Sequence, residues 1–206
     1  MAEQHYDVGN KLFQNMLDPR MVYTCGLWNH AANLAEVQEA KLDFVCRKLG
    51  LAPGIKVLDI GCGWGSFAKF AAQEYGAQVV GVTISPQQLA LGQKLCAGLP
   101  VELRLEDYRS LRDSFDRIVS LGMFEHVGHK NYRAFFDVTR RTLKDAGRLF
   151  LASIGKNRSS YSTDPWIERY ISQIRISRPS RKSEPPSEGI SWWKNGRTGS
   201  QITTGR

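Results

Sequence analysis

The spacing of apolar residues changes along the chain, and each change marks an element. Leu34, Val37, Phe44, Val45 and Leu49 recur at helical spacing. Asn33 stands where an N-cap would, with Glu36 placed to complete a capping box. Pro53-Gly54 is a turn, and Val57 to Ile60 (VLDI) is a short buried strand. The alternation then repeats. A helix from about Gly65 to Tyr75 stops at Gly76 and is followed by the strand Gln78 to Ile84. Ser85-Pro86-Gln87-Gln88 has an N-cap serine, a proline in the first turn and glutamine at the third position. The helix it opens ends near Gly98. Val101 to Leu105 and Phe115 to Leu121 are strands, Asn131 to Leu143 a helix, and Arg148 to Ile154 a fifth strand. Such alternation predicts an α/β fold with a mainly parallel sheet. Tyr6 to Trp28, rich in aromatics with Gly and Pro, shows no clean period.

From Ser172 onward the pattern stops. That stretch has no Ala, Leu, Val, Phe or Met, and seven of its 35 residues are Ser. It offers little apolar surface to offset the entropy of ordering, so residues 172–206 are expected to be a disordered basic tail after a domain spanning 1–171. Charge sharpens the division. The whole chain carries +8, but seven basic residues against two acidic ones put +5 of it in the tail. The body is only mildly basic, so no nucleic-acid partner is expected. Cys25, Cys46, Cys62 and Cys96 include no C-x-x-C pair, which argues against a zinc knuckle or a disulfide framework. No apolar run reaches membrane-spanning length and MAEQHYDVG does not read as a signal peptide, so a soluble, cytoplasmic protein is expected.

The chemistry concentrates in KVLDIGCGWGSF (Lys56 to Phe67). A strand running through G-C-G-W-G into a helix puts bare backbone at the carboxyl edge of a sheet, where a ligand can approach closely. A dinucleotide fold wants G-x-G-x-x-G and an acid at the end of the second strand. Here the spacing is G-x-G-x-G, and the second strand ends Val82-Thr83-Ile84-Ser85. NAD is therefore disfavoured. The pattern D-x-G-x-G resembles motif I of class I S-adenosylmethionine (AdoMet)-dependent methyltransferases, which have a Rossmann-like sheet.

Taken together, HYDVGNKLFQNMLDPRMVYTCGLW, VLDIGCGWGSFA, GVTISPQQ, FDRIVSLGMFEHVGHKNY and DPWIERYI resemble the cyclopropane-fatty-acyl-phospholipid synthases and their mycolic-acid relatives. The resemblance implies methylene transfer from AdoMet to cis double bonds of unsaturated phospholipid at a membrane surface, on the inner face. It places AdoMet contacts on Tyr23, Thr24, Asp59, Gly61, Gly63, Thr83, Ile84, Gln88 and Tyr108. It assigns Cys25 and Glu125 to a bound bicarbonate that serves as base. An alkene is a weak nucleophile and the reaction passes through a carbocation, which aromatic faces stabilise; Tyr23, Trp64 and Phe124 are candidates, each also suited to a core. His126 and His129 have no third or fourth ligand beside them and are read as structural or exposed.

The sequence departs from the family in two places. On the fifth strand the family's bicarbonate-binding histidine is replaced by Ala152, which offers no donor to an anion. After Ile171 the family continues with F-P-N, whereas the tail, read one nucleotide out of phase, allows FPNSHLPSLQE and later GHFVVEEWQNWQPNYDRT. A frame change after Ile171 is thus expected. It would remove the last two strands of the sheet and leave the fifth as an exposed apolar edge. Another AdoMet-dependent small-molecule or lipid methyltransferase, or a non-catalytic basic binding protein, are the alternatives.

Overall fold

The computed structural model of the chain describes residues 10–28, 31–154, 190–194 and 197–201. Tyr6 to Gly9 of the YDVGN motif, the DPWI motif and most of the tail lie outside these residues. Strand β1 (Lys56–Ile60) is central, followed in the chain by β2 (Gln78–Thr83), β3 (Val101–Leu105), β4 (Phe115–Leu121) and β5 (Leu143–Ala152). The sheet order is β3-β2-β1-β4-β5, all parallel, extended by two antiparallel strands, β6 (Ile190–Lys194) and β7 (Arg197–Gln201). The chain therefore steps outward from β1 to β3 and returns to β4 on the other side. The junction of β1 and β4 is the switch point at which open α/β sheets form a ligand crevice at their carboxyl edge.

Helices cover both faces. Helix α1 (Asn10–Met16) lies in the stretch that showed no period; its seven residues bury only Phe13, too short a pattern to read. Helix α2 (Leu34–Leu49) is capped by Asn33, whose Oδ1 accepts from Glu36 N at 3.1 Å. Glu36 replies to Ala32 N and to the Asn33 side-chain amide, both at 2.9 Å, rather than to the backbone of Asn33. Helix α3 (Ser66–Tyr75) ends on left-handed Gly76, as predicted. Helix α4 (Pro86–Leu95) starts at Ser85, whose hydroxyl accepts from Gln88 N at 3.3 Å. Helix α5 (Tyr132–Thr142) completes the set.

Strands β1 and β2 are buried on both faces, which is why they read as continuous apolar runs. Val57 and Val79 pack with Leu42, Val45, Leu49 and Phe67 under α2 and α3. Their neighbours Leu58 and Val80 pack with Ile118, Phe115 and Phe135 on the α5 side.

Two expectations need correction. Strand β5 begins at Leu143, not Arg148, and ends at Ala152, because its pairing with β4 jumps from Phe115↔Leu143 to Arg117↔Arg148. Exposed Lys144, Asp145 and Ala146 form the intervening irregularity. The sheet also does not stop at β5, and the tail is not wholly structureless. Leu149 pairs with Trp193 and Phe150 with Trp192, so the edge of β5 is covered rather than exposed. Composition averaged over 35 residues hid a local signal: Ile-Ser-Trp-Trp is strand-prone, and the two strands are separated by Asn195-Gly196, a strong hairpin dipeptide.

Candidate functional site

The glycine-rich turn leaves β1 with three left-handed glycines, Gly61, Gly63 and Gly65, at φ +81°, +56° and +80°. Gly61 and Cys62 both donate backbone N–H bonds to Val82 O at 3.0 Å, which locks the turn onto the end of β2. A Cβ on Gly61 would meet Met123 at 2.6 Å, and one on Gly65 would meet Cys96 at 3.0 Å. At Gly63 nothing lies within 4 Å. Two of the glycines are thus required by packing, while the third faces open space.

Asp59 closes β1 below this turn. It is 2% exposed, and its Oδ2 has no hydrogen-bond partner. Burial pushes its carboxyl up to about 7, against the opposing pull of Lys41. A buried acceptor left without a donor is costly unless a ligand supplies one. On the neighbouring strand, buried Thr83 donates to Gln88 Oε1 at 3.0 Å, and its own oxygen accepts from Ser85 N at 3.2 Å. Gln88 is left chiefly with its NH2, a donor suited to an anionic group. Ile84 follows, 61% exposed at the same edge. Tyr108 is half-buried, with its ring against Phe135 at 5.7 Å.

The segment from Asp18 to Trp28 supplies the remaining groups. The Asp18 carboxylate accepts from Val22 N at 2.8 Å and Arg20 N at 3.0 Å, closing a turn that holds Met21 at φ +61°, a strained value for a residue other than glycine. A Cβ on Gly26 would overlap Val37, so the segment hugs α2. Thr24 is fixed twice by α2: Gln38 Nε2 donates to its carbonyl at 2.8 Å and Lys41 Nζ donates to its hydroxyl at 2.6 Å. Cys25 is exposed, while Cys46, Cys62 and Cys96 are buried.

Glu125 comes to the same place from the loop after β4. Gly122, at φ +64°, would bring a Cβ within 2.5 Å of Thr24 Cγ2 and 3.8 Å of Glu125 Oε1, so Thr24 and Glu125 flank one glycine. Ser153 Oγ donates to Glu125 Oε2 at 2.9 Å, immediately after Ala152 at the end of β5.

The aromatic candidates separate. Tyr23 is 37% exposed, edge-on to Phe13. Trp64 is 2% exposed with its indole N–H on Asn10 Oδ1 at 2.8 Å, a core residue. Phe124 stacks on Tyr132 at 4.3 Å. His126 is half-buried and His129 exposed; among the described residues no group of three or more potential ligands could hold a metal.

The family model of mycolic acid cyclopropane synthetase matches residues 1–173. The chain belongs to this family. The match ends two residues past Ile171, where the family pattern was seen to break off. A cyclopropane-fatty-acyl-phospholipid synthase of Escherichia coli K12 is 53% identical over 171 residues, 83% of this chain but 45% of that protein. This cyclopropane synthetase family member therefore spans under half the length of that relative. Among solved structures, mycolic acid cyclopropane synthase CmaA1 complexed with SAH and CTAB superposes with a TM-score of 0.72 at 37% identity, covering 76% of this chain and 57% of that one. The cyclopropane synthase MmaA2 from Mycobacterium tuberculosis gives 0.73 at 35%, covering 82% and 63%. The five parallel strands are those of a class I AdoMet-dependent methyltransferase.

Sequence reasoning missed Gln38 and Lys41. Both lie inside the buried face of α2, with Val37, Leu42, Val45 and Cys46. A glutamine and a lysine within an apolar stripe were the available signal.

Proposed function

We propose that this chain binds AdoMet at the carboxyl edge of β1 and β2 and acts as a cyclopropane-fatty-acyl-phospholipid synthase-like methyltransferase, working on unsaturated phospholipid at the cytoplasmic face of a membrane. The observation that carries the AdoMet reading is the pairing of a buried, unpartnered Asp59 Oδ2 with the open approach at Gly63. Asp59 would receive the ammonium of the methionine moiety, and Gln88 would donate to its carboxylate. Gly63 admits the ligand against bare backbone, and Gly61, kept bare by Met123, would hold the turn that meets it. Thr83, Ile84 and Tyr108 would line the nucleoside side, where an exposed isoleucine gains an apolar partner. Tyr23 and Thr24 would close over the ligand.

When bound, AdoMet supplies an electrophilic methyl that adds to the alkene and then gives up a proton as the ring closes. The chain's own residues position and protect. Tyr23 presents an aromatic face where positive charge develops on the acyl chain. Glu125, oriented by Ser153 and across Gly122 from Thr24, is the carboxylate placed to accept the proton. Bicarbonate does not fit this set: Ala152 has no donor, and the nearby Ser153 hydroxyl already donates to Glu125. That departure favours a second reading, methyl transfer to a small-molecule or lipid acceptor that needs no separate anion.

Titration calorimetry with S-adenosylhomocysteine tests the site. Wild-type protein should bind it. Gly63→Ala, with open space for its Cβ but a left-handed φ of +56°, should fold at a cost of about 1 kcal/mol and lose affinity by at least about tenfold, roughly 1.4 kcal/mol. Equal affinity in the variant would remove the site assignment. Labelled AdoMet offered with unsaturated phospholipid vesicles or with soluble acceptors then separates the two readings by which product carries the label.

A further inference from the structure

Lys41 is the buried charge for which the proposed chemistry has no use. It sits in the middle of α2, 5% exposed and about two turns from either end of the helix. A long cationic side chain there would ordinarily reach outward to water. It points inward instead, and its Nζ lies 2.6 Å from Thr24 Oγ1. The titratable groups that face it come from three places: Asp18 from the turn after α1, Cys25 beside Thr24, and Asp59 near the end of β1. Gln38, one turn earlier on α2, grips the carbonyl of the same Thr24 at 2.8 Å, and its own Oε1 is buried without a partner.

We propose that Lys41 is a positioning residue of the cofactor site: its ammonium anchors the Thr24 segment and compensates the buried Asp59 carboxylate, so that one side chain couples closure over the ligand to the charge the ligand meets. This rests on the reading that Asp59 faces the methionine ammonium. The physical case is the balance of burial and charge. Asp59 without Lys41 would be an uncompensated buried carboxylate, whose proton would be held to still higher pH. A protonated Asp59 can no longer pair with an ammonium as an ion. Lys41 is drawn down to about 8 by its own burial, while Asp18, Cys25 and Asp59 oppose that fall. The two groups therefore share a window near pH 7 to 8 in which both are substantially charged.

The experiment follows the Asp59 carboxyl directly by carbon-13 NMR on the full chain, and in parallel measures S-adenosylhomocysteine affinity from pH 6 to 8.5. In wild-type protein the carboxyl should titrate near 7 and affinity should rise through the same midpoint. In Lys41→Met both midpoints should move up by at least about one unit, which at pH 7 is roughly a fivefold loss of affinity that shrinks toward pH 8.5. Thr24→Val removes only the anchor, and should weaken binding by one factor at every pH with the midpoint unmoved. An Asp59 midpoint in Lys41→Met equal to that of wild type overturns the proposal. So does a loss of affinity that is the same at all pH values. Should Lys41→Met not fold, Lys41→Met with Asp59→Asn removes the stranded charge and should fold, binding weakly with no pH step; tight wild-type binding by that double variant also overturns it. Failure of wild-type protein to bind the probe would sink the AdoMet reading alone, since the NMR midpoints would still report on the Lys41–Asp59 pair.

Discussion

Asp59 stands in an environment that suits a ligand and not the fold. Its carboxyl is raised from an ordinary value of 3.8 to about 7 by burial. In the unfolded chain the group ionises near pH 4, so between 4 and 7 the folded state holds a proton that the unfolded state has released. The destabilisation is therefore absent below about pH 4, grows as pH rises, and is complete above about 7. Three units correspond to roughly 4 kcal/mol as an upper figure. Asp59→Asn keeps the shape and removes the ionisation. Thermal melts should show the variant gaining on wild type from pH 4 to 7, with a constant advantage of several degrees from there to about pH 8. A difference independent of pH would mean that Asp59 is not a buried acid in the folded chain. The same variant should bind S-adenosylhomocysteine poorly, a trade of binding for stability that active sites commonly show.

At the scale of elements, caps decide where the helices start. The Asn33 carboxamide holds Glu36 N, and Glu36 returns two bonds to Ala32 and Asn33. Asn33→Ala should cost about 1 kcal/mol in chemical denaturation, with the slope of the transition unchanged. Because α2 also carries Gln38 and Lys41, a frayed first turn is felt at Thr24. Most elements were legible for such local reasons. VLDI, QVVGVT and the Ser85-Pro86 start each carry their signal within a few residues, and the sheet inherits its order from alternation. The D-x-G-x-G turn was legible because glycine spacing reports backbone directly. The inward turn of Lys41 left only a faint trace, its place within an apolar stripe, since a lysine on a helix normally marks a solvated face and only the packing of residues 18–28 against α2 reverses that. Strands β6 and β7 had a local signal in Ile-Ser-Trp-Trp and Asn195-Gly196, but which residues complete an open sheet edge is settled by pairing and not by composition.

For the whole molecule, the decisive feature is the edge of β5. Leu149, Phe150 and Leu151 pair with Trp193, Trp192 and Ser191, and among the described strands only β6 and, beyond it, β7 lie on that side. Deleting residues 172–206 should expose this edge and give a protein that aggregates, seen by light scattering, although every proposed AdoMet contact precedes the deletion. A soluble, monomeric truncation would show that the edge needs no cover. Restoring the reading frame after Ile171 tests the frame-change expectation in the same assay. The restored chain should regain the family's F-P-N continuation and remain as soluble as the present one.

The hairpin of β6 and β7 follows β5 in the same chain and, among the described strands, pairs with the rest of the sheet only along β5. In effect it is a tethered ligand for its own sheet, held by local concentration and by strand pairing. A second molecule offers the same edge, so a hairpin released from one copy can seat on the other and the exchange can be reciprocal. The resulting pair would be a swapped dimer whose population rises with protein concentration and whose two cofactor sites remain intact, because the exchanged strands lie beyond β5 on the side away from β1.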